Sequence, residues 1–144
     1  MYTDSDYVGD KSTRISVTGY ILFFMGVPII WRSKSQKSIM LSSSEAEYVA
    51  LSEAAKEIKK LPIVVRVDNV GAIFMSKNTS TSGQTKHIDI HYQYVNEMIL
   101  DGFLKVLFVK MSENVADVFT KNVRSETYHE LVKHFLMDKN LIRN

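Results

Sequence analysis

The chain has 144 residues, 45% apolar and 24% charged, with a formal net charge of +2, enough for one domain with a packed core and too evenly charged to argue by itself for any partner. Cysteine is absent, which excludes disulfides, a thiol nucleophile and a zinc–cysteine site; the four histidines show no H-E-x-x-H spacing, leaving oxygen ligands, which suit magnesium or manganese, for any metal. No apolar run reaches the roughly 20 residues of a membrane span, and the acidic opening MYTDSDYVGD does not read as a secretory leader, so an intracellular place, cytoplasmic or nuclear, is expected.

Residues 1–8 alternate, with Tyr2, Asp4, Asp6 and Val8 on one face of a predicted strand. A polar loop follows to Ser16. Residues 17–25, VTGYILFFM, are strongly β-prone; Gly26, Val27 and Pro28 predict a hairpin connection, and residues 28–33 the return strand. Trp31 on that strand reads as core, with base stacking as the alternative. Next comes LSSSEAEYVALSEAAKEI, residues 41–58, which opens like a helix. Ser42 and Glu45 fit a capping box, and Leu41 and Ala46 a hydrophobic staple. Glu47 heads the apolar stripe of Ala50, Leu51, Ala54 and Ile58, where a carboxylate is costly to desolvate; a second box of Ser44 with Glu47 is the plainer alternative. The helix is expected to reach about Lys60 and to stop near Pro62.

Residues 63–67, IVVRV, read as a strand covered on both faces. Asp68 or Asn69 then caps a helix over 70–77. A strand that follows a helix and feeds a helix suggests parallel pairing with an earlier strand. Residues 85–100 read helical, with Ile90, Tyr94, Met98, Ile88 and Val95 as the apolar face, ending at Asp101-Gly102. A fifth strand is predicted over 103–109, a short helix over 114–121 and a last one over 125–137, with Leu131, His134 and Phe135 in its stripe. The order is that of an α/β chain with a five-stranded mixed sheet, three antiparallel strands plus two further ones, and flanking helices.

Four carboxylates stand out by position: Asp4 on the first strand, Glu47 on the inward stripe, Asp68 at a strand's carboxyl end, and Asp117 in the short helix after the fifth strand. Taken singly, each reads as a solvated charge or a cap. If the first and fourth strands pair in parallel, they converge, and such a cluster stays ionised only with divalent cations, as in two-metal phosphoryl chemistry.

The segments YTDSDYVGD, TGYILF, WRSKSQKSIMLSSSEAEYVALSEA, VRVDNVGAI, TKHIDIHY and NVADVFTK resemble, in that order, the ribonuclease H domain of the Pol polyprotein of Ty1/copia-type LTR retrotransposons. The resemblance covers almost the whole chain. It implies an RNase H-like fold and cleavage of the RNA strand of an RNA–DNA hybrid with two Mg²⁺ ions, Mn²⁺ as a substitute, and a reverse transcriptase domain upstream. Asp4, Glu47 and Asp68 would hold the ions, and Asp117 would complete one shell. Candidate contacts to the hybrid backbone are Ser33, Lys34, Gln36, Lys37, Asn69 and Lys86, with a solvated surface as the plain alternative for the basic ones. Set against the family pattern, 1–144 reads as a single domain, trimmed at its first strand and shortened near 59–61, and the loop KMSEN lacks the histidine that many ribonucleases H carry there. The competing expectation is an inactive or domesticated remnant that binds nucleic acid or protein without cutting.

Overall fold

A computed structural model describes residues 1–58, 61–78 and 86–133, the side chains of 86–88 excepted. The elements are β1 (Tyr2–Asp6), β2 (Val17–Phe24), β3 (Val27–Ser35), α1 (Ser43–Lys56), β4 (Ile63–Val67), α2 (Val70–Lys77), α3 (Lys86–Leu100) and β5 (Leu104–Phe108), then two 3₁₀ turns (Met111–Glu113 and Val115–Phe119) and α4 (Ser125–Lys133). His134, Phe135 and the rest of the expected last helix lie outside the described residues.

One mixed sheet carries the strands in the order β3-β2-β1-β4-β5. β1, β2 and β3 are antiparallel, and β4 runs parallel to both β1 and β5. The β2–β3 hairpin turns earlier than the sequence suggests. Met25 and Gly26 form its loop, at φ 49° and 80°, the paired positive values that match strand twist. Pro28 then falls on an edge strand, where its missing N–H is tolerated, and the ladder shifts register beside it, between Leu22 and Phe23.

α1 begins as a capped helix. Ser42 Oγ accepts from the Glu45 N–H at 3.2 Å, and the Glu45 carboxylate accepts from the Leu41 N–H at 2.7 Å, one residue before the group the capping box predicts. The staple is a correction: Leu41 is exposed, and Met40 instead packs with Ala46 and Val49. Small residues on the inner face, Ala50, Ala54 and Ala55, are fully buried and bring the helix close to the sheet. Tyr48 stacks on Tyr92 of α3 with ring centroids 5.3 Å apart, and Val65 and Val67 of β4 close the core beneath. The apolar face of α3 is rotated from the expected one: Tyr92, Val95 and Met98 are inside, while Ile90 is 67% exposed.

The opposite face of the sheet is covered more thinly. Ile21, Val115 and Leu131 form its core, and Arg66 lies half-buried over the Tyr2 ring at 5.3 Å, so β4 is fully covered on one face, not both. Trp31 is also a correction. It is 60% exposed and lines a shallow groove with Pro28, Phe119 and Tyr128, because the edge position of β3 leaves its outer end beyond the covering helix.

Gly19 is the β2 partner of Asp4, and it lets the second 3₁₀ turn lie against the sheet. A Cβ there would stand 2.5 Å from Thr120 Cγ2 and 3.0 Å from Phe119 Cβ. Gly19→Ala should therefore lift that turn and cost about 1–3 kcal/mol of stability, the usual range for overpacking, read as a lower thermal midpoint. An unchanged midpoint would show that the turn is not held by this contact.

Candidate active site

The site forms where β1 and β4 part. Met1, just before β1, and Thr3 and Ser5 within it direct backbone groups toward the β4 side. The Met1 carbonyl accepts from the Arg66 N–H at 2.9 Å, and the two strands pair at Tyr2 and Arg66. Beyond that point side chains take over. The Thr3 carbonyl accepts from Asn114 Nδ2 at 2.9 Å, and the Ser5 N–H donates to Glu47 Oε1 at 2.8 Å. Four carboxylates surround the resulting notch.

Asp4 is 1% exposed. The Thr120 hydroxyl donates to its Oδ2, and Lys121 Nζ lies 3.6 Å from the same oxygen. Asp117, in the second 3₁₀ turn, meets Lys121 Nζ at 3.3 Å through Oδ2, while its Oδ1 is buried without a partner. Asp68 follows the last residue of β4 and also has a buried oxygen, Oδ2, without a partner. One oxygen from each of Asp4, Asp68 and Asp117 lies within 4.8 Å of the others. Glu47 is not in that mutually close group. It enters from α1, and Ser5 fixes its Oε1 through both the backbone N–H and the hydroxyl (3.2 Å), leaving Oε2 buried and unpartnered.

The sequence left two choices open here, and the local bonding decides both. Ser44 does not pair with Glu47 in a second capping box; its hydroxyl donates to Asn69 Oδ1 at 3.1 Å. Asn69, not Asp68, caps α2, accepting from the Ala72 N–H at 3.0 Å. Asp68 is thereby free of capping and turns toward the other carboxylates. A Cβ on Gly71 would collide with Ser44, so glycine is what allows the two helix starts to meet.

Of the candidate backbone-contact residues, Ser33 and Lys37 are exposed and Lys34 is half-buried. Gln36 is a correction. It is 2% exposed, and its Nε2 donates to Thr18 Oγ1 at 3.0 Å and to the Ala46 carbonyl at 2.9 Å, so it ties the chain just after β3 to β2 and to α1 instead of facing a ligand. The side chain of Lys86 lies outside the described residues. His91 is structural, with Nδ1 2.9 Å from Ser52 Oγ. Residue-by-residue reading missed Asn114 and Lys121. Both had a local signal: Asn114 stands two residues before the N–H it caps, at Ala116, and Lys121 stands four residues after Asp117 on the same turn.

Crowding of the carboxylates shows in their proton affinity. Burial, reinforced by the charge of Asp4, raises the Glu47 pKa from 4.5 to about 9 against the pull of the Ser5 hydrogen bonds. Burial and Asp4 likewise raise Asp117 to about 7, with Lys121 opposing. Asp68 is raised by burial and by Asp4, while Asn114 and Lys121 pull it back. The folded chain therefore holds protons that an unfolded chain has released, and rising pH favours unfolding. This contribution is intact below the ordinary carboxyl range and is lost as pH rises through about 7 for Asp117 and about 9 for Glu47. In a chelator, the thermal midpoint should fall between about pH 5.5 and about pH 8.5, and less so in Glu47→Gln. A flat profile in the wild type would show that burial and neighbouring charge do not raise these carboxylates.

No protein-family model matches the chain. The chain is 41% identical to the retrovirus-related Pol polyprotein from transposon TNT 1-94 of Nicotiana tabacum, over 94% of its own length and 11% of that protein. It is 34% identical to the corresponding polyprotein from transposon RE1 of Arabidopsis thaliana, over 83% of its length and 9% of that protein. It thus spans about a tenth of the length of each of these two relatives. Among solved structures, LC11-RNase H1 in complex with an RNA/DNA hybrid superposes with a TM-score of 0.64 at 15% identity, covering 83% of this chain and 91% of that one. Similar in sequence to one group and in fold to the other, the chain belongs to the retrovirus-related Pol polyproteins of transposons, as their RNase H-like portion.

Proposed function

We propose that the chain is a single-domain endonuclease that hydrolyses the RNA strand of RNA–DNA hybrids during retrotransposon reverse transcription, inside the cell, in cytoplasm or nucleus, with a reverse transcriptase domain upstream in the same polyprotein. One observation carries the reading. Oxygens of Asp4, Asp68 and Asp117 gather within 4.8 Å, and unpartnered buried oxygens remain on Asp68, Asp117 and Glu47. Buried acceptors without donors are expensive unless a cation meets them, and a donor set made only of carboxylate oxygens suits Mg²⁺, with Mn²⁺ as a substitute. Asp4, Glu47, Asp68 and Asp117 would hold two such ions, which supply the charge that activates a water and steadies the leaving oxygen.

The chain's own residues do the rest. Thr120 fixes one oxygen of Asp4, and Ser5 fixes one of Glu47, so each keeps its other oxygen for a ligand. Asp68 needs no capping bond because Asn69 provides it. Ser33 lies in register with Gly19, which is in register with Asp4, and so places a hydroxyl-bearing residue on the row of the sheet that carries the first aspartate. Ser33 and Lys34 on the edge strand and Lys37 just after it, with Asn69 at the start of α2, are the residues proposed to meet the hybrid backbone. The solved RNase H relative with a bound RNA/DNA hybrid supports this choice of substrate.

The test is cleavage of a labelled RNA–DNA hybrid by the purified chain with Mg²⁺ or Mn²⁺. Wild type should cut, and Asp68→Asn and Glu47→Gln should each lose more than about a hundredfold in rate, the order lost when reacting groups are misplaced. Glu45→Gln, at the cap, should cut normally and lose roughly 1 kcal/mol of stability or less. Hybrid binding by a folded wild type that does not cut would instead favour the remnant that binds without catalysis. An inactive Glu45→Gln beside an active Glu47→Gln would overturn the assignment of the helix carboxylate.

A further inference from the structure

Lys121 lies within the carboxylate group. Its Nζ is 3.3 Å from Asp117 Oδ2 and 3.6 Å from Asp4 Oδ2, two of the three aspartates whose oxygens converge. Its neighbour Thr120 closes on the same Asp4 oxygen. We propose that Lys121 is a built-in counter-ion to the aspartates of the cation site and withdraws when a divalent cation enters, thereby setting the affinity of the site; this rests on the metal-binding reading above.

Three features carry the inference. An ammonium ion held against one oxygen of Asp4 and one of Asp117 repels a divalent cation held by the remaining oxygens of the same carboxylates, because the site is shielded from water. The lysine stem is long and unbranched, and its side chain is 33% exposed, so Nζ has a route to solvent that needs no backbone change. The ammonium also bridges two elements, β1 through Asp4 and the second 3₁₀ turn through Asp117, and holds them together before any metal arrives. One consequence is selectivity of charge. A monovalent ion gains nothing by replacing a tethered monovalent one, whereas a divalent ion does.

Two measurements test this without reference to cleavage. The first is brief acetic anhydride labelling of the wild-type protein, read at Lys121 by mass spectrometry, with and without Mn²⁺. Labelling should rise several-fold when Mn²⁺ is bound. The second is Mn²⁺ calorimetry on wild type and Lys121→Met. The variant should bind at least about fivefold more tightly, since one repelling charge is gone, and should unfold at a lower temperature in chelator. Unchanged labelling in a protein that binds Mn²⁺ would overturn the inference and leave the metal reading standing, as would equal or weaker binding by Lys121→Met. Absence of Mn²⁺ binding in both proteins would overturn the metal reading, and this inference with it.

Discussion

The structure depends on two parallel strands that stop pairing. β1 and β4 meet at Tyr2 and Arg66 and then separate, and backbone groups that would have bonded across the gap must find other partners. Asn114 answers one and Glu47 another. These substitutes come from the loop after β5 and from α1, so the gap itself recruits both covering layers to one point. Ser5 and Asp4 are adjacent in the chain, yet they serve opposite faces: Ser5 holds Glu47 of α1, while Asp4 faces the 3₁₀ turn. Strand alternation thus supplies two faces of one site from consecutive residues.

Charge is the second constraint. Four carboxylates in so small a volume resist ionisation together, and burial is the larger part of that resistance at Glu47, Asp68 and Asp117. The fold answers in part with local donors. Ser5 gives two hydrogen bonds to Glu47, Thr120 gives one to Asp4, and Lys121 brings the one full positive charge seen against these carboxylates among the described residues. Oxygens on three of the four groups nevertheless remain unpartnered. A cluster built only for stability would not leave them so.

Much of this was legible in the sequence, for a physical reason in each case. Glu47 separates from Glu45 because one lies on the inward stripe of a helix and the other at a cap, and both periodicity and capping are local rules. IVVRV followed by DN marks a strand and a helix start for the same reason. What failed depended on neighbours distant in sequence. Gln36 sits in a polar run and looks exposed, yet the start of α1 folds over it and buries its amide. Trp31 has the pattern of a core residue, yet its strand lies at the sheet edge, where little covers it. The choice between Asp68 and Asn69 needed Ser44, twenty-five positions from Asn69, to become decidable.

The contact of Ser44 with Asn69, closed in by Gly71, bears on how the carboxylates keep their spacing. α1 and α2 begin at one shared joint, and that joint lies three residues from Glu47 and one from Asp68. The two helices are therefore pinned to each other at the end nearest the carboxylates, so one contact helps to fix the spacing of Glu47 on α1 and Asp68 before α2.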